Sequence, residues 1–234
     1  VSDPFFVRGR LQILASEKAT AGPVQIRLLT VHPQTGVIVE DVSILQLLDE
    51  TQLPEHLTQV TVHDDQVIFT VSGAVACCDG QGQPLWVRRQ SWTIPALDPT
   101  RVTRAWQPPI VVGDTVIVSQ PGVRMLECID ASTGRLVWTF LAPELKRIVG
   151  TVGNRMVLET SAGFEAVNMT NGRRQWRYTT PSVHFVNDAA MLTTRAVSSD
   201  PKVPPQNVLL CVRHRDIGRA IRRPEFVWVD LETG

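Results

Sequence analysis

Lysine is nearly missing from this 234-residue chain: Lys18, Lys146 and Lys202 are the only three, so arginine carries almost all the positive charge. Basic and acidic residues balance at 23 each, leaving no overall field to draw the chain to nucleic acid or to an anionic membrane. The four cysteines, Cys77, Cys78, Cys128 and Cys211, are too few for a disulfide scaffold and lack the C-x-x-C spacing of a zinc site. No apolar run approaches the roughly 20 residues that a membrane-spanning helix needs. Nothing resembling a signal peptide precedes Val1, so the chain reads as a piece of a longer protein whose address is encoded elsewhere. Gly-x-Ser-x-Gly, Walker and H-E-x-x-H patterns are missing too, which removes the usual hydrolase and nucleotide signatures. Against these absences stands a hydrophobic content of 43%, ample for a large folded core.

What the chain has is a phrase that repeats. Asp130, Thr133, Gly134 and Trp138 spell Asp-x-x-Thr-Gly-x-x-x-Trp. Asn168, Asn171, Gly172 and Trp176 repeat it with Asn in the Asp position, and Asp79, Gly82 and Trp86 repeat it one residue shorter. His32, Thr35 and Gly36 begin it without the Trp, and Asp230, Thr233 and Gly234 begin it at the end of the chain. Between the phrases lie short apolar, β-branched runs separated by turn residues: 110–112, 115–119, 123–130 and 135–140 form one set of four, punctuated by Gly113-Asp114, Pro121-Gly122 and Thr133-Gly134. The sets at 57–88 and 147–178 read the same way. Self-similarity at this period predicts an all-β array of four-stranded antiparallel meanders, a β-propeller of about four to five blades. The single segment 1–234 divides into units at about 1–43, 57–89, 109–140, 147–179 and 182–234.

The end units read as incomplete. Residues 9–16, 23–31 and 37–43 predict the last three strands of a unit; in a closed five-bladed ring, Phe5 and Phe6 would instead complete the last blade. Residues 182–186, 189–196 and 225–231 predict the first three strands of another unit, with 208–213 as an extra strand in an insertion. Residues 44–57 carry Ile44, Leu47, Leu48 and Leu53 at spacings that allow a short helix. A lone meander leaves two apolar faces wet, and stacking blade on blade buries both. Trp86, Trp138 and Trp176 supply large flat groups for that stacking, each contributing about a few kcal/mol when docked.

The phrases resemble the PQQ-type β-propeller repeat, whose units carry an Asp-x-x-x-Gly-x-x-x-Trp docking motif: Asp130, Gly134 and Trp138 match fully, and Gly172 with Trp176 and Gly82 with Trp86 match with one departure each. The resemblance spans nearly the whole chain and specifies fold far better than function, because the family includes both scaffolds and quinone-dependent dehydrogenases. As a scaffold, the chain would be a non-catalytic module of a larger protein, binding a protein partner and needing no cofactor. The alternative is part of a dehydrogenase dependent on pyrroloquinoline quinone and calcium. In those enzymes a vicinal disulfide lies against the quinone, and Val75-Ala76-Cys77-Cys78-Asp79 resembles the segment that carries it. The resemblance alone suggests a periplasmic or extracellular location.

No catalytic or metal-binding residue is assigned. His63-Asp64-Asp65 could offer metal ligands, although Asp-Asp at that position is ordinary turn chemistry. The candidate interaction face follows from connection length. In an up-and-down meander the first-to-second and third-to-fourth turns share one end, and these are uniformly tight. The longer connections, 17–22, 44–56, 90–108, 198–206 and 214–224, all belong to the opposite end. Trp92 and Trp106 fall there as candidate aromatic anchors. Arg215, Arg219, Arg222 and Arg223 fall there as a basic cluster that suits a phosphate, an acidic partner or a solvated hairpin loop.

Overall fold

A computed structural model describes residues 2–18, 23–47, 59–71, 74–89, 107–119, 125–179, 183–184, 194–196, 206–216 and 222–230, with the last strands described mainly at the backbone. All regular structure among them is β. Four antiparallel meanders follow in chain order. The first joins β1 (Phe5–Val7), β2 (Arg10–Lys18), β3 (Val24–Val31) and β4 (Ile38–Leu47). The second joins β5 (Gln59–His63), β6 (Gln66–Val71), β7 (Ala74–Asp79) and β8 (Pro84–Arg89). The third joins β9 (Ile110–Val112), β10 (Thr115–Ser119), β11 (Met125–Asp130) and β12 (Leu136–Leu141). The fourth joins β13 (Leu145–Val152), β14 (Arg155–Thr160), β15 (Gly163–Asn168) and β16 (Arg174–Thr179). A fifth sheet holds β17 (Val183–His184), β18 (Thr194–Ala196), β19 (Gln206–Asp216) and β20 (Arg222–Asp230). The fold is a partial β-propeller.

Strand composition follows from position in the blade. In the second, third and fourth blades the second and third strands are covered on both faces, so β6, β7, β10, β11, β14 and β15 are buried almost throughout, whereas β3 of the first blade alternates buried and half-buried residues. The fourth strands β8, β12 and β16 form outer edges, where exposed residues predominate. Because successive side chains leave a strand on opposite faces, one strand can serve two cores. Ala74, Ala76 and Cys78 of β7 pack with Leu14, Ile26, Leu28 and Ile44 of the first blade. Val75 and Cys77 of the same strand pack with Val116, Val118 and Ile129 of the third.

The chain divides into two compact units, Val1–Val102 with Trp106–Thr139 and Thr103–Ala105 with Phe140–Gly234, the boundary running through β12. Within the first unit, the innermost strand β5 lies beside both β1 and β9.

Three expectations are corrected. The first blade has four strands, because Phe5–Val7 pairs with β2 of its own sheet through Phe5↔Gln12, Phe6↔Leu11 and Val7↔Arg10. Residues Ile44 to Leu47 extend β4, pairing Ile26 with Leu45 and Val24 with Leu47 rather than turning into a helix; residues 48–57 lie outside the description. In the fifth sheet, residues 208–213 are no insertion strand. They sit in β19, which pairs with β17 and β18 along one edge and β20 along the other. β17 and β18 thus share the first-strand position, β19 is the second strand and β20 the third. The physical reason is length: an 11-residue strand is long enough to take two short partners end to end.

Candidate functional site: the docking motif and the blade ends

Among the described residues, four copies of the phrase close a third-to-fourth turn in one way. The glycine of each holds a left-handed backbone, at φ 69° for Gly36, 84° for Gly82, 69° for Gly134 and 68° for Gly172, a conformation that side chains with a β-carbon disfavour. The glycine N–H donates to the carbonyl of the first residue of the phrase: Gly134 to Asp130 at 2.9 Å, Gly172 to Asn168 at 2.8 Å, Gly82 to Asp79 at 3.0 Å and Gly36 to His32 at 2.9 Å. The first side chain then accepts from the turn. Asp130 Oδ1 takes the backbone N–H groups of Ser132 and Thr133 and both hydroxyls. Asn168 Oδ1 takes Thr170 and Asn171, Asp79 Oδ1 takes Gln81 and Gln83, and His32 Nδ1 takes Gln34 and Thr35. The common requirement is an acceptor, which explains why Asp, Asn and His interchange. The Ser132 and Thr133 donors hold the Asp130 carboxyl down at about 2.

Trp86 of the second blade docks on the turn of the third. Trp86 Nε1 donates to the Ala131 carbonyl at 2.8 Å, and a β-carbon on Gly134 would come 2.7 Å from Trp86 Cε3. The glycine therefore serves the turn and the neighbouring indole together. Trp176 is buried with Val157, Phe164, Ala166 and, from β20, Val229; Trp138 is buried also. Opposite the indole across the strand pair stands a small residue, Cys77 beside Trp86 and Ala166 beside Trp176.

The first blade performs the same docking without a Trp. Val42 takes the packing role: a β-carbon on Gly82 would lie 3.0 Å from its Cγ1. Gln12 takes the polar role, with its Nε2 donating to the Gly80 carbonyl at 2.9 Å. Gly80 follows Asp79 as Ala131 follows Asp130, so the same carbonyl is satisfied by a different donor from a different strand. Gln12 is fully buried, and its amide also reaches Thr30 Oγ1 at 3.4 Å. Repeat matching misses both residues; a Gln within the apolar run Leu11-Gln12-Ile13-Leu14 is the signal that could have found Gln12.

Other charged groups brace the blades. Arg88 Nε stands 3.5 Å from the buried Glu127 carboxylate of the third blade. Arg8 pairs with Asp65 at 2.7 Å between the turns of the first two blades and holds the Asp65 carboxyl below its ordinary range, chiefly by that hydrogen bond. Within the second unit, Arg174 Nε pairs with the buried Glu165 at 2.8 Å, and its guanidinium lies 5.6 Å from the centre of the Phe140 ring. Of the metal candidate, Asp64 has φ 51° in a tight turn and Asp65 is taken by Arg8. Among the described residues, no three His, Cys, Asp or Glu side chains are disposed to hold a metal ion.

Cys77 and Cys78 are free, buried, and belong to different interface cores on opposite faces of β7. Burial pushes both thiols up to about 12. Placed so, the pair does not fit the quinone-stacking disulfide that the resemblance suggested. Of the interaction candidates, Trp92, Trp106 and Arg219 lie outside the described residues. Arg215, Arg222 and Arg223 stand on β19 and β20 instead of in a loop, with Arg215 directly opposite Arg223.

Four-stranded meanders joined by a turn glycine and a docked indole define a PQQ-like β-propeller repeat protein. Residues 71–210, more than half of the chain, match the family model of the outer membrane protein assembly factor BamB, and the chain belongs to that family. The crystal structure of BamB from Moraxella catarrhalis is similar over 92% of this chain and 60% of that one, at 13% identity and a TM-score of 0.52. The chain thus spans about three fifths of that protein's length. The Pan2 WD40 domain of Neurospora crassa aligns over 94% of this chain and 62% of that one, at 13% identity and a TM-score of 0.44. Comparison with curated proteins finds no match.

Proposed function

We propose that this propeller is a non-catalytic protein-interaction scaffold within a larger extracytoplasmic protein, with its partner held at the end bearing the long connections. The observation that carries the reading is the division of labour between the two ends. At the tight-turn end, the polar side chains of the repeats are committed to structure: Asp130, Asn168, Asp79 and His32 to their turns, and Asp65 to Arg8. In the first four blades the variation in length is concentrated at the other end, and such variable connections on a rigid frame are where repeat proteins bind; the fifth sheet departs from this, because its β18-to-β19 connection joins first-position to second strand and so belongs to the tight-turn end. The family description, an outer membrane protein assembly factor, supports a protein partner and a location outside the cytoplasm.

Two measurements test this. Trp92→Ala and Trp106→Ala are expected to weaken capture of the partner at least tenfold while leaving the melting temperature within about a degree, the outcome that separates a partner contact from a packing role. Addition of pyrroloquinoline quinone and calcium is expected to give neither a thermal shift nor dye-linked alcohol oxidation. Saturable binding with turnover would overturn the scaffold reading in favour of a quinoprotein dehydrogenase.

A further inference from the structure

The second and third blades receive their neighbours on a turn of one design, and the first blade carries that turn with no described residue docked on it. His32, Thr35 and Gly36 keep the full spacing of Asp130, Thr133 and Gly134. Gly36 has the same φ of 69°, and its N–H donates to the His32 carbonyl at 2.9 Å. A β-carbon on Gly82 would meet Val42 of the first blade at 3.0 Å, and one on Gly134 would meet Trp86 of the second at 2.7 Å; one on Gly36 would meet no described residue within 4 Å. The residue after the first position of the phrase divides in the same way. Gly80 and Ala131 are buried, and their carbonyls accept from Gln12 Nε2 and Trp86 Nε1. Pro33, in the same place, is exposed.

The sheet behind this turn has an apolar face to match. Phe6, Leu11, Val31 and Ile38 stand in register across β1, β2, β3 and β4, and Ile13 with Leu29 forms the next pair along. Strand alternation sets them opposite the side on which Gln12 and Leu14 pack against the second blade. Phe6 is 63% and Ile38 52% exposed, and the other four are half-buried. Farther along, Arg27 is paired with Asp41 at 2.6 Å and Glu17 at 3.1 Å, so the apolar stripe can be covered without orphaning an ion. We infer that this face of the first blade docks a further four-stranded blade of the same protein, from outside residues 1–234, whose fourth strand seats an indole on Gly36 and Pro33. The inference rests on the reading of the chain as part of a larger protein. Spacing selects the indole: on the shortened phrase Asp79–Gly82 the seated side chain is Val42, and on the full phrase Asp130–Gly134 it is Trp86. Among the described residues no indole is spare for a second copy of this chain, because Trp138 and Trp176 are buried and Trp86 is bonded to Ala131. The chain covers 60% of the BamB structure, a difference in length that accommodates further blades.

The test places a thiol reporter at Ile38, with the parent protein as the blank; Cys77, Cys78 and Cys128 are buried. Ile38→Cys in the 1–234 chain should react with a maleimide as an exposed thiol does, and in the full-length protein at least tenfold more slowly. Phe6→Cys gives the same reading if the first variant fails to fold. Gly36→Asn probes the seat itself. Asn accepts a left-handed turn, so the 1–234 chain should keep its melting temperature within about a degree, whereas the full-length protein, in which the new side chain blocks the indole, should lose about 4 °C or more. Equal labelling rates in the two proteins, or equal shifts from Gly36→Asn, overturn the inference. Slow labelling of the 1–234 chain also overturns it: if independent of concentration, the chain's own fifth sheet covers the face, and if it deepens with concentration, a second copy does. Undiminished partner capture by the Trp92 and Trp106 variants would remove the scaffold reading and leave the docking of a further blade standing.

Discussion

Asp130 shows how one side chain fixes a turn and what it costs to protonate it. Its carboxyl is held at about 2, against 3.8 for the free group. A depressed folded-state value means that the stabilisation is fully present above the unfolded value and is lost as pH falls through the folded one. Acid unfolding should therefore steepen between pH 4 and about 2, and Asp130→Asn should flatten that part of the curve while keeping the turn, as Asn168 does in the fourth blade. Comparing the two acid titrations by circular dichroism checks this. Glycine is more exacting. Gly134→Ala meets Trp86 at 2.7 Å and a φ of 69°, so it should lower stability by about 2 kcal/mol or more, read by urea unfolding. The buried thiols give a third residue-scale prediction. With Cys77 and Cys78 pushed up to about 12, a thiol reagent at pH 8 finds almost no thiolate in the folded state. Labelling should track unfolding, and Cys77→Ala should bind and melt nearly as the parent does, because Ala166 already fills the matching place opposite Trp176.

At the scale of strands and turns, the repeat was legible wherever local chemistry dictated the shape. Three full blades could be placed from Gly82, Gly134, Gly172 and the strands around them, because a left-handed turn position and a buried β-branched run leave marks in a single stretch of chain. What was illegible depended on partners distant in sequence. Phe5–Val7 is a three-residue strand that exists because β2 offers it an edge, and β19 becomes the second strand of its sheet only through pairing with β17, β18 and β20. The residues 44–47 misled by their spacing: apolar positions that suit a helix also suit a strand continuing against β3. Of the candidate interaction residues, sequence supplied the arginines but not their register, and the opposition of Arg215 to Arg223 appears only once β19 and β20 are paired. Gln12 and Val42 were invisible for the same reason. Gln12→Leu should cost about 1–3 kcal/mol, the range for leaving a buried carbonyl unpaired, with Gly80 O as the orphaned acceptor. Trp86→Phe, which keeps a ring on Gly134 but orphans Ala131 O, should fall in the same range; melting curves of the two variants check the equivalence.

For the molecule as a whole, stability is distributed over blade-to-blade contacts rather than centred in one core. The first unit holds two such contacts, between the first and second blades and between the second and third, and they use different parts: Gln12 and Val42 against Gly80 and Gly82 in one, Trp86 against Ala131 and Gly134 in the other. The second blade thus carries a socket on one flank and a plug on the other, and the plugs of the first and second blades are cut differently. Excising the second blade would bring a slender aliphatic plug to a socket shaped for an indole, so the order of blades along the chain is keyed into their flanks and shuffled arrangements are rejected by fit.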